Sequence, residues 1–276
     1  MKIENEFLSA SFMQKGGHLT TLLFNGQEIL KSFNSQDGDG KTMFPLLPIG
    51  NRVVGNTYTL DDEKIDLPLT DPEHKEYLHG VGWYKDWEIL SQSKSQVKLS
   101  LKVKSDNGYD FYSEIVYKVL KKQFIATLNI KHLNKRPRLY GLGFHPYFTW
   151  HNDFKLYLDV NGSYKSHTGD YFLEPYSEDL PEGFISHKYF NIPKGFHNFC
   201  CGNFKKAVIK RNDCKVRLIS SMPYLMLYSD GSGKFLCLEP QSHAVDAVHF
   251  PDHGGLIKLH YGEVFKANLC LDIDYI

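Results

Sequence analysis

Val97-Lys98-Leu99-Ser100-Leu101-Lys102-Val103-Lys104 decides the fold class of this chain, because an apolar residue occupies every second position. Successive side chains of a β-strand point to opposite faces, so this stretch is typical of a strand with one buried face and one wet, lysine-rich face. The same alternation recurs in residues 124–131 and 265–274. No segment of about a dozen residues shows the 3.6-residue period of an amphipathic helix. The pattern therefore predicts strands along nearly the whole chain.

Short clusters of turn-forming residues separate these runs, which is typical of antiparallel hairpins. The clusters are Asp106-Asn107-Gly108, Asn161-Gly162, Asp230-Gly231-Ser232-Gly233 and His253-Gly254-Gly255. Two stacked sheets best accommodate strands that have one apolar and one polar face. Because no linker and no internal repeat divides the chain, we expect an all-β fold, a large antiparallel β-sandwich, with a single domain over residues 1–276.

The amino-acid composition limits the kinds of protein and of partner that this chain can represent. The 276 residues are 42% hydrophobic and 23% charged, which excludes a fully disordered chain. The 32 Lys and Arg residues balance 32 Asp and Glu residues, so net charge offers no attraction to nucleic acid or to an anionic membrane. Aromatic residues reach 14%, which favours strands and supplies flat surfaces on which a ligand can stack.

Targeting and cysteine patterns indicate a compartment. The N-terminal MKIENEFLSASFMQKGG carries charges where a secretory signal has its apolar run. No stretch approaches the roughly 20 apolar residues of a membrane-spanning helix. The five cysteines are an odd number, and adjacent Cys200 and Cys201 lack the C-x-x-C spacing of a redox pair or metal knuckle. We therefore expect a cytoplasmic protein with reduced thiols.

Two polar segments in the first third of the chain could bind a ligand. Arg52 follows Asn51 between glycines in an apolar run, so its guanidinium should be partly enclosed and needs an acceptor. That acceptor is either an internal carboxylate or the oxygens of a ligand. His79 precedes a glycine and lies close to Trp83 and Trp87, which suits a sugar-sized pocket but equally suits a structural histidine.

Two further segments carry groups suited to acid/base chemistry. His145 lies between two glycines and a proline, and the proline restricts the backbone of the residue before it. Such a restraint immobilises an imidazole that works near neutral pH, although a buried histidine bonded to backbone fits as well. Glu239 ends an apolar run, where a carboxylate needs a buried cationic partner or a raised pKa.

Histidines and aspartates also crowd the segment that follows Glu239. His243, His249 and His253 lie near Asp246 and Asp252, but their spacing does not place metal ligands on one helix face. A loop could still gather them around a metal ion, which leaves a metal-dependent hydrolase as an outside alternative. The chain has no phosphate-binding or dinucleotide-binding glycine motif and no G-x-S-x-G nucleophile elbow.

Together these segments resemble the motifs of the aldose 1-epimerase (galactose mutarotase) family. The resemblance follows the family order from about Gly16 to the C-terminus. The matching motifs are Asn51-Arg52, Leu78-His79-Gly80, Gly143-Phe144-His145-Pro146-Tyr147-Phe148 and Leu238-Glu239-Pro240-Gln241, with a similar closing segment at Asp246-Ala247 and Gly262-Glu263.

The resemblance implies a β-sandwich of the galactose-mutarotase type that interconverts the α- and β-anomers of a free hexose such as glucose or galactose. It implies that Glu239 is the base and His145 the acid, and that neither a metal nor another cofactor is needed. The substrate-binding residues it implies are Asn51, Arg52, His79 and Tyr147. The expected partner is a small-molecule sugar, and the expected assembly is a monomer or homodimer.

Two departures from the family pattern bear on which sugar is recognised. Family members commonly carry a sugar-binding Asp in the pattern Asp-x-x-Phe, where this chain has Gly195-Phe196-His197-Asn198-Phe199. Either His197 substitutes for this Asp or the contact is absent. Met226 stands where galactose epimerases often have Gln. A hexose phosphate is the alternative substrate, with Lys85 or Arg211 as candidate cations, and a carbohydrate-binding protein without turnover is the alternative function.

Overall fold

The computed structural model describes residues 1–33, 40–70, 75–165, 176–193, 196 and 198–276. Strands dominate this part of the chain. The first nine strands are β1 (Lys2–Glu4), β2 (Leu8–Phe12), β3 (Leu19–Phe24), β4 (Gln27–Leu30), β5 (Met43–Leu46), β6 (Arg52–Val53), β7 (Thr57–Leu60), β8 (Glu63–Asp66) and β9 (Tyr77–Leu78). The next seven are β10 (Glu88–Gln92), β11 (Gln96–Val103), β12 (Phe111–Leu120), β13 (Gln123–His132), β14 (Arg138–Tyr140), β15 (Gly143–Thr149) and β16 (Lys155–Lys165).

Seven more strands follow, and the described helices are single 3₁₀ turns. These strands are β17 (Tyr189–Asn191), β18 (Phe199–Lys210), β19 (Cys214–Ser220), β20 (Tyr224–Tyr228), β21 (Phe235–Gln241), β22 (Ile257–Leu259) and β23 (Val264–Tyr275). The 3₁₀ turns are Val54–Asn56, Ala247–His249 and His253–Gly255. Within the described ranges, no helix is long and apolar enough to cross a membrane.

Antiparallel pairing arranges the main strands in two connected layers. One layer runs β10–β11–β12–β13–β23–β19–β18, and the other runs β18–β20–β21–β15–β5. The long strand β18 belongs to both, because residues 206–210 pair with β19 and residues 199–201 pair with β20. The expectation of an all-β, antiparallel sandwich is confirmed.

The core follows from the alternation in the sequence. Along β13 the buried apolar residues are Phe124, Ala126, Leu128 and Ile130, and the side chains between them are only partly buried. Residues of both layers join one hydrophobic cluster, in which Leu128 and Leu269 of one layer lie with Phe148 and Leu236 of the other. Burying this apolar surface stabilises the stacked layers by roughly 25 cal/mol per Å² removed from water.

All five cysteines are free thiols in the structure. Four are buried, and Cys270 is half-buried. Burial raises the pKa of Cys200 to about 12 and that of Cys270 to about 11, so both remain thiols at neutral pH. They behave as small core residues, as their spacing in the sequence predicts.

Leu128→Ala tests the alternation on β13. The side chain is fully buried, so its truncation should lower the free energy of unfolding by about 2–5 kcal/mol in chemical denaturation. Lys131→Ala is the control on the same strand, because Lys131 is exposed and its truncation should change that free energy by about 0.5 kcal/mol or less. Equal effects of the two substitutions would contradict the assigned faces.

Candidate active site

The floor of the candidate site is a row of residues that crosses four neighbouring strands. His145 of β15 pairs with Phe44 of β5 on one side. On its other side it lies opposite Glu239, midway between the paired positions of β15 and β21. Met226 of β20 pairs with Glu239. Because directly opposed residues of antiparallel strands share a face, the four side chains form one continuous surface.

His145 and Glu239 form a buried pair in the middle of this row. The Nε2 atom of His145 lies 3.2 Å from Oε1 of Glu239, and their side chains are only 6% and 2% exposed. Gln241 donates from Nε2 to Oε2 of Glu239 at 3.3 Å. Burial raises the pKa of Glu239 well above its usual range and lowers the pKa of His145 to about 3, since desolvation penalises the charged form of each.

Aromatic rings hold the imidazole of His145 in place. The ring of Phe44 stacks on the imidazole with centroids 4.7 Å apart, and the ring of Tyr147 stacks on it with centroids 4.6 Å apart. His79 meets the same imidazole edge-on at 5.2 Å. The sequence predicts an immobilised histidine here, and these three rings together with the row of strands provide the immobilisation.

The row lies at the bottom of a cavity of about 310 Å³. This volume falls in the range of about 300–1,000 Å³ that small-molecule sites occupy. The described residues around the cavity are Lys41, Phe44, Asn51, Arg52, Leu78, His79, Trp83, His145, Tyr147, Asn198, Met226, Tyr228 and Glu239. All the candidate catalytic and substrate-binding residues within the described ranges are therefore collected around one cavity.

Asn51, Arg52 and His79 reach the cavity from the short antiparallel pairing of β6 with β9 or from the residues next to it. Asn51 donates its backbone N–H to Nδ1 of His79 at 3.2 Å and accepts the backbone N–H of His79 at 2.8 Å. Because Nδ1 acts as acceptor, the neutral imidazole of His79 carries its proton on Nε2. Arg52 is buried, lines the cavity and places Nη1 3.8 Å from Oε2 of Glu76. An internal carboxylate is therefore close to it, and a role in binding ligand oxygens stays a prediction.

Sequence reasoning missed two cavity residues that lie on or beside β5. Phe44 is brought to His145 only by strand pairing, and nothing in its local sequence indicates this. Lys41 places its ammonium 4.6 Å from the ring centroid of Trp83, a cation–π contact at the side of the cavity. A strand pairing predicted between residues 43–46 and 143–146 would have found both.

The cations expected for a phosphate group lie elsewhere. Arg211 donates from Nε to Asp213 at 2.8 Å and from Nη1 to the backbone oxygen of Glu28 at 2.8 Å, and Lys85 lies over the ring of Tyr84. Neither is among the described residues around the cavity. Met226 does line the cavity, beside Glu239, whereas His197 lies outside the described residues.

The histidine cluster after Glu239 forms no metal-ligand group within the described residues. His243 contacts Gly50, and His249 contacts Asp246 and the backbone of Thr57. The described side chains that could hold a metal ion are His145, Cys237 and Glu239, whose ligand atoms lie within 4.8 Å of one another. Imidazole, thiolate and carboxylate are donors that Zn²⁺ accepts.

Two comparisons with known sequences bear on this site. The chain is 25% identical over 245 residues to the uncharacterized protein YphB of Escherichia coli K12, which covers 84% of each chain. It is 24% identical over 147 residues to the uncharacterized protein YihR of the same organism, covering 51% of this chain and 47% of that protein.

Solved structures share the fold. A putative aldose 1-epimerase from Escherichia coli K12 superposes with a TM-score of 0.93 at 22% identity, covering 100% of this chain and 98% of the other. A GalM/aldose epimerase homologue from C. elegans gives 0.84 at 19% identity with 100% and 98% covered. Galactose 1-epimerase from Lactobacillus acidophilus NCFM gives 0.80 at 16% identity with 99% and 93% covered. The family model described as aldose 1-epimerase matches residues 1–271, and the chain belongs to the aldose 1-epimerase family.

Proposed function

We propose that this protein is a cofactor-independent aldose 1-epimerase that interconverts the α- and β-anomers of a free hexose such as glucose or galactose. The observation that carries the proposal is the 3.2 Å contact between His145 and Glu239 at the bottom of a sugar-sized cavity, in a chain of this family. We place the reaction in the cytoplasm, because a reducing compartment keeps thiols free and all five cysteines are free.

Ring opening needs one proton removed and one delivered. Glu239 takes the proton of the C1 hydroxyl while His145 donates a proton to the ring oxygen, and the bond between C1 and the ring oxygen breaks to give the open aldehyde. Rotation about the C1–C2 bond and closure on the other face reverse both transfers and invert C1. Each positioned acid or base contributes about 10²–10⁴-fold to the rate. Asn51, Arg52, His79 and Tyr147 hold sugar oxygens around these two groups.

The protonation state of the buried pair fits this chemistry after a single proton shift. Desolvation places the proton of the sugar-free pair on Glu239 and leaves His145 neutral. The reactive arrangement, a carboxylate beside an imidazolium, holds the same number of protons. Transfer across the 3.2 Å contact generates it, and hydrogen bonds from sugar hydroxyls stabilise the resulting charges.

A phosphorylated or otherwise anionic sugar is the second candidate substrate. Lys41 and Arg52 are the two cations among the described residues around the cavity, and Glu239 is the one carboxylate there. Since burial favours the neutral form of Glu239, the cavity attracts an anion. Glu76 offsets part of the charge of Arg52 at 3.8 Å, and Lys41 supplies the second positive charge beside the cavity.

Glu239→Gln tests the base. The substitution keeps the shape and removes the proton acceptor, so the enzymatic rate of anomer interconversion should fall by about 10²–10⁴-fold in polarimetry, after subtraction of the spontaneous rate. Glu114→Gln is the control, because Glu114 of β12 forms an ion pair with Lys98 of β11 and is not among the described residues around the cavity. Full activity of Glu239→Gln would overturn the assignment, and sugar binding by wild type without turnover would favour the carbohydrate-binding alternative.

The dependence of kcat/KM on pH tests whether His145 and Glu239 share one proton. Below the lowered pKa of His145 a second proton enters the pair and removes the base, and above the raised pKa of Glu239 the last proton leaves and removes the acid. We therefore expect kcat/KM to stay level between pH 4.5 and 6.5, the ordinary values of the two groups. Inflections at those two ordinary values would contradict a desolvated pair.

Lys41→Met separates the two substrate classes. The substitution keeps an apolar side chain beside Trp83 and removes the charge. If the substrate is anionic, kcat/KM for glucose 6-phosphate should fall about tenfold while that for glucose changes by less than about twofold. Lys85→Met is the control, since Lys85 lies outside the cavity residues. Equal kinetics of wild type and Lys41→Met with glucose 6-phosphate would remove the anionic-sugar candidate.

A further inference from the structure

His243, from the histidine cluster that follows Glu239, packs against residues 50–57, the loop that carries Asn51 and includes Arg52 in the two-residue strand β6. Its Nε2 atom lies 3.2 Å from both the backbone nitrogen and the backbone oxygen of Gly50. Either neutral tautomer of the imidazole therefore makes one hydrogen bond to Gly50. The chain is thus held at the residue immediately before Asn51.

The ring of His243 fills the space between two glycines. A Cβ atom on Gly141 would lie 2.5 Å from Cε1 of His243, and a Cβ atom on Gly50 would lie 3.2 Å from the same atom. His243 itself is only 1% exposed. The imidazole is therefore wedged in one place and cannot turn away from the loop.

Asp246 holds the other side of the same loop. Its Oδ1 atom accepts the backbone N–H of Val54 at 3.0 Å and lies 2.8 Å from Nδ1 of His249. His249 extends the contact, because its Nε2 atom lies 3.0 Å from the backbone oxygen of Thr57. Asn51 and Arg52 thus lie between two points, Gly50 and Val54, that are fixed by residues 243–249.

The loop needs such support because its backbone is strained. Asn51 has φ 58° and Asn56 has φ 57°, the left-handed region that side chains other than glycine rarely adopt. Conformations of this kind persist where surrounding contacts hold them, and they concentrate at ligand sites. Loss of the supporting contacts would let residues 50–57 relax and would move the side chains of Asn51 and Arg52.

We propose that His243 and Asp246 are positioning residues, which fix the backbone on either side of Asn51 and Arg52 and thereby set how this pair meets the sugar. The inference rests on the proposed function and deepens it. Neither residue touches the reacting atoms, and Glu239 and His145 are held by strands rather than by this loop.

The experiment is steady-state kinetics of His243→Ala and Asp246→Ala, with Asp246→Asn as the conservative variant. Each alanine variant should raise KM about tenfold or more while kcat stays within about threefold, because sugar recognition is displaced and the acid/base pair is not. Asp246→Asn keeps an oxygen that accepts the N–H of Val54, so it should restore a KM close to that of wild type.

His132→Ala is the matched control for loss of a buried histidine. His132 is fully buried, its Nε2 atom lies 2.8 Å from the backbone oxygen of Arg136, and it is not among the residues around the cavity. The His132→Ala variant should therefore be less stable than wild type but have the same KM. An unchanged KM in both alanine variants, the same KM increase in His132→Ala, or a fall in kcat as large as the rise in KM would overturn the inference.

Hydrogen exchange keeps the inference separate from the proposed function. If wild type accelerates anomer interconversion of no sugar, the proposed function fails, and the variants are then read by amide exchange of residues 50–57 in the free protein. Faster exchange there in His243→Ala and Asp246→Ala, but not in His132→Ala, supports the positioning role. Unchanged exchange in both overturns it.

Discussion

The antiparallel register between β15 and β21 is the constraint on which the chemistry of the site depends. It sets His145 opposite Glu239 and brings their side chains to 3.2 Å. A slip of one residue would turn every side chain of one strand to the other face, which would separate the pair and expose core residues such as Phe144. The hydrophobic core therefore specifies the geometry of the candidate site, because the same register that buries the apolar residues aligns the proposed acid and the proposed base.

Two kinds of structure build the site, long paired strands and short irregular segments. The strands hold the row with His145 and Glu239. The β6–β9 pairing and the contacts of residues 243–249 hold the wall with Asn51, Arg52 and His79. Sites on strands are held more tightly than sites on loops, and loops change more readily.

Much of this could be predicted from the sequence, for physical reasons that also explain what could not. Alternation in residues 97–104 and 124–131 predicts strand faces because side-chain direction is a local property. His145 and Glu239 stand out because each is a polar group in an apolar run. Their distance, and the presence of Phe44 and Lys41 beside them, depend on long-range register, which local patterns do not specify. A charge such as Arg211 attracts attention in the sequence, but its partner Asp213 becomes evident only in three dimensions.

The stacking of the rings of Phe44 and Tyr147 against His145 has a spectroscopic consequence. Protons above the face of an aromatic ring experience its ring current and resonate upfield of their ordinary positions. Both rings stack against the imidazole of His145, with ring centroids 4.7 and 4.6 Å away, so we expect both to shield its carbon-bound protons. A sugar that disturbs this stacking should therefore change the proton chemical shifts of His145. Sugar binding can then be followed in the proton spectrum without an added probe.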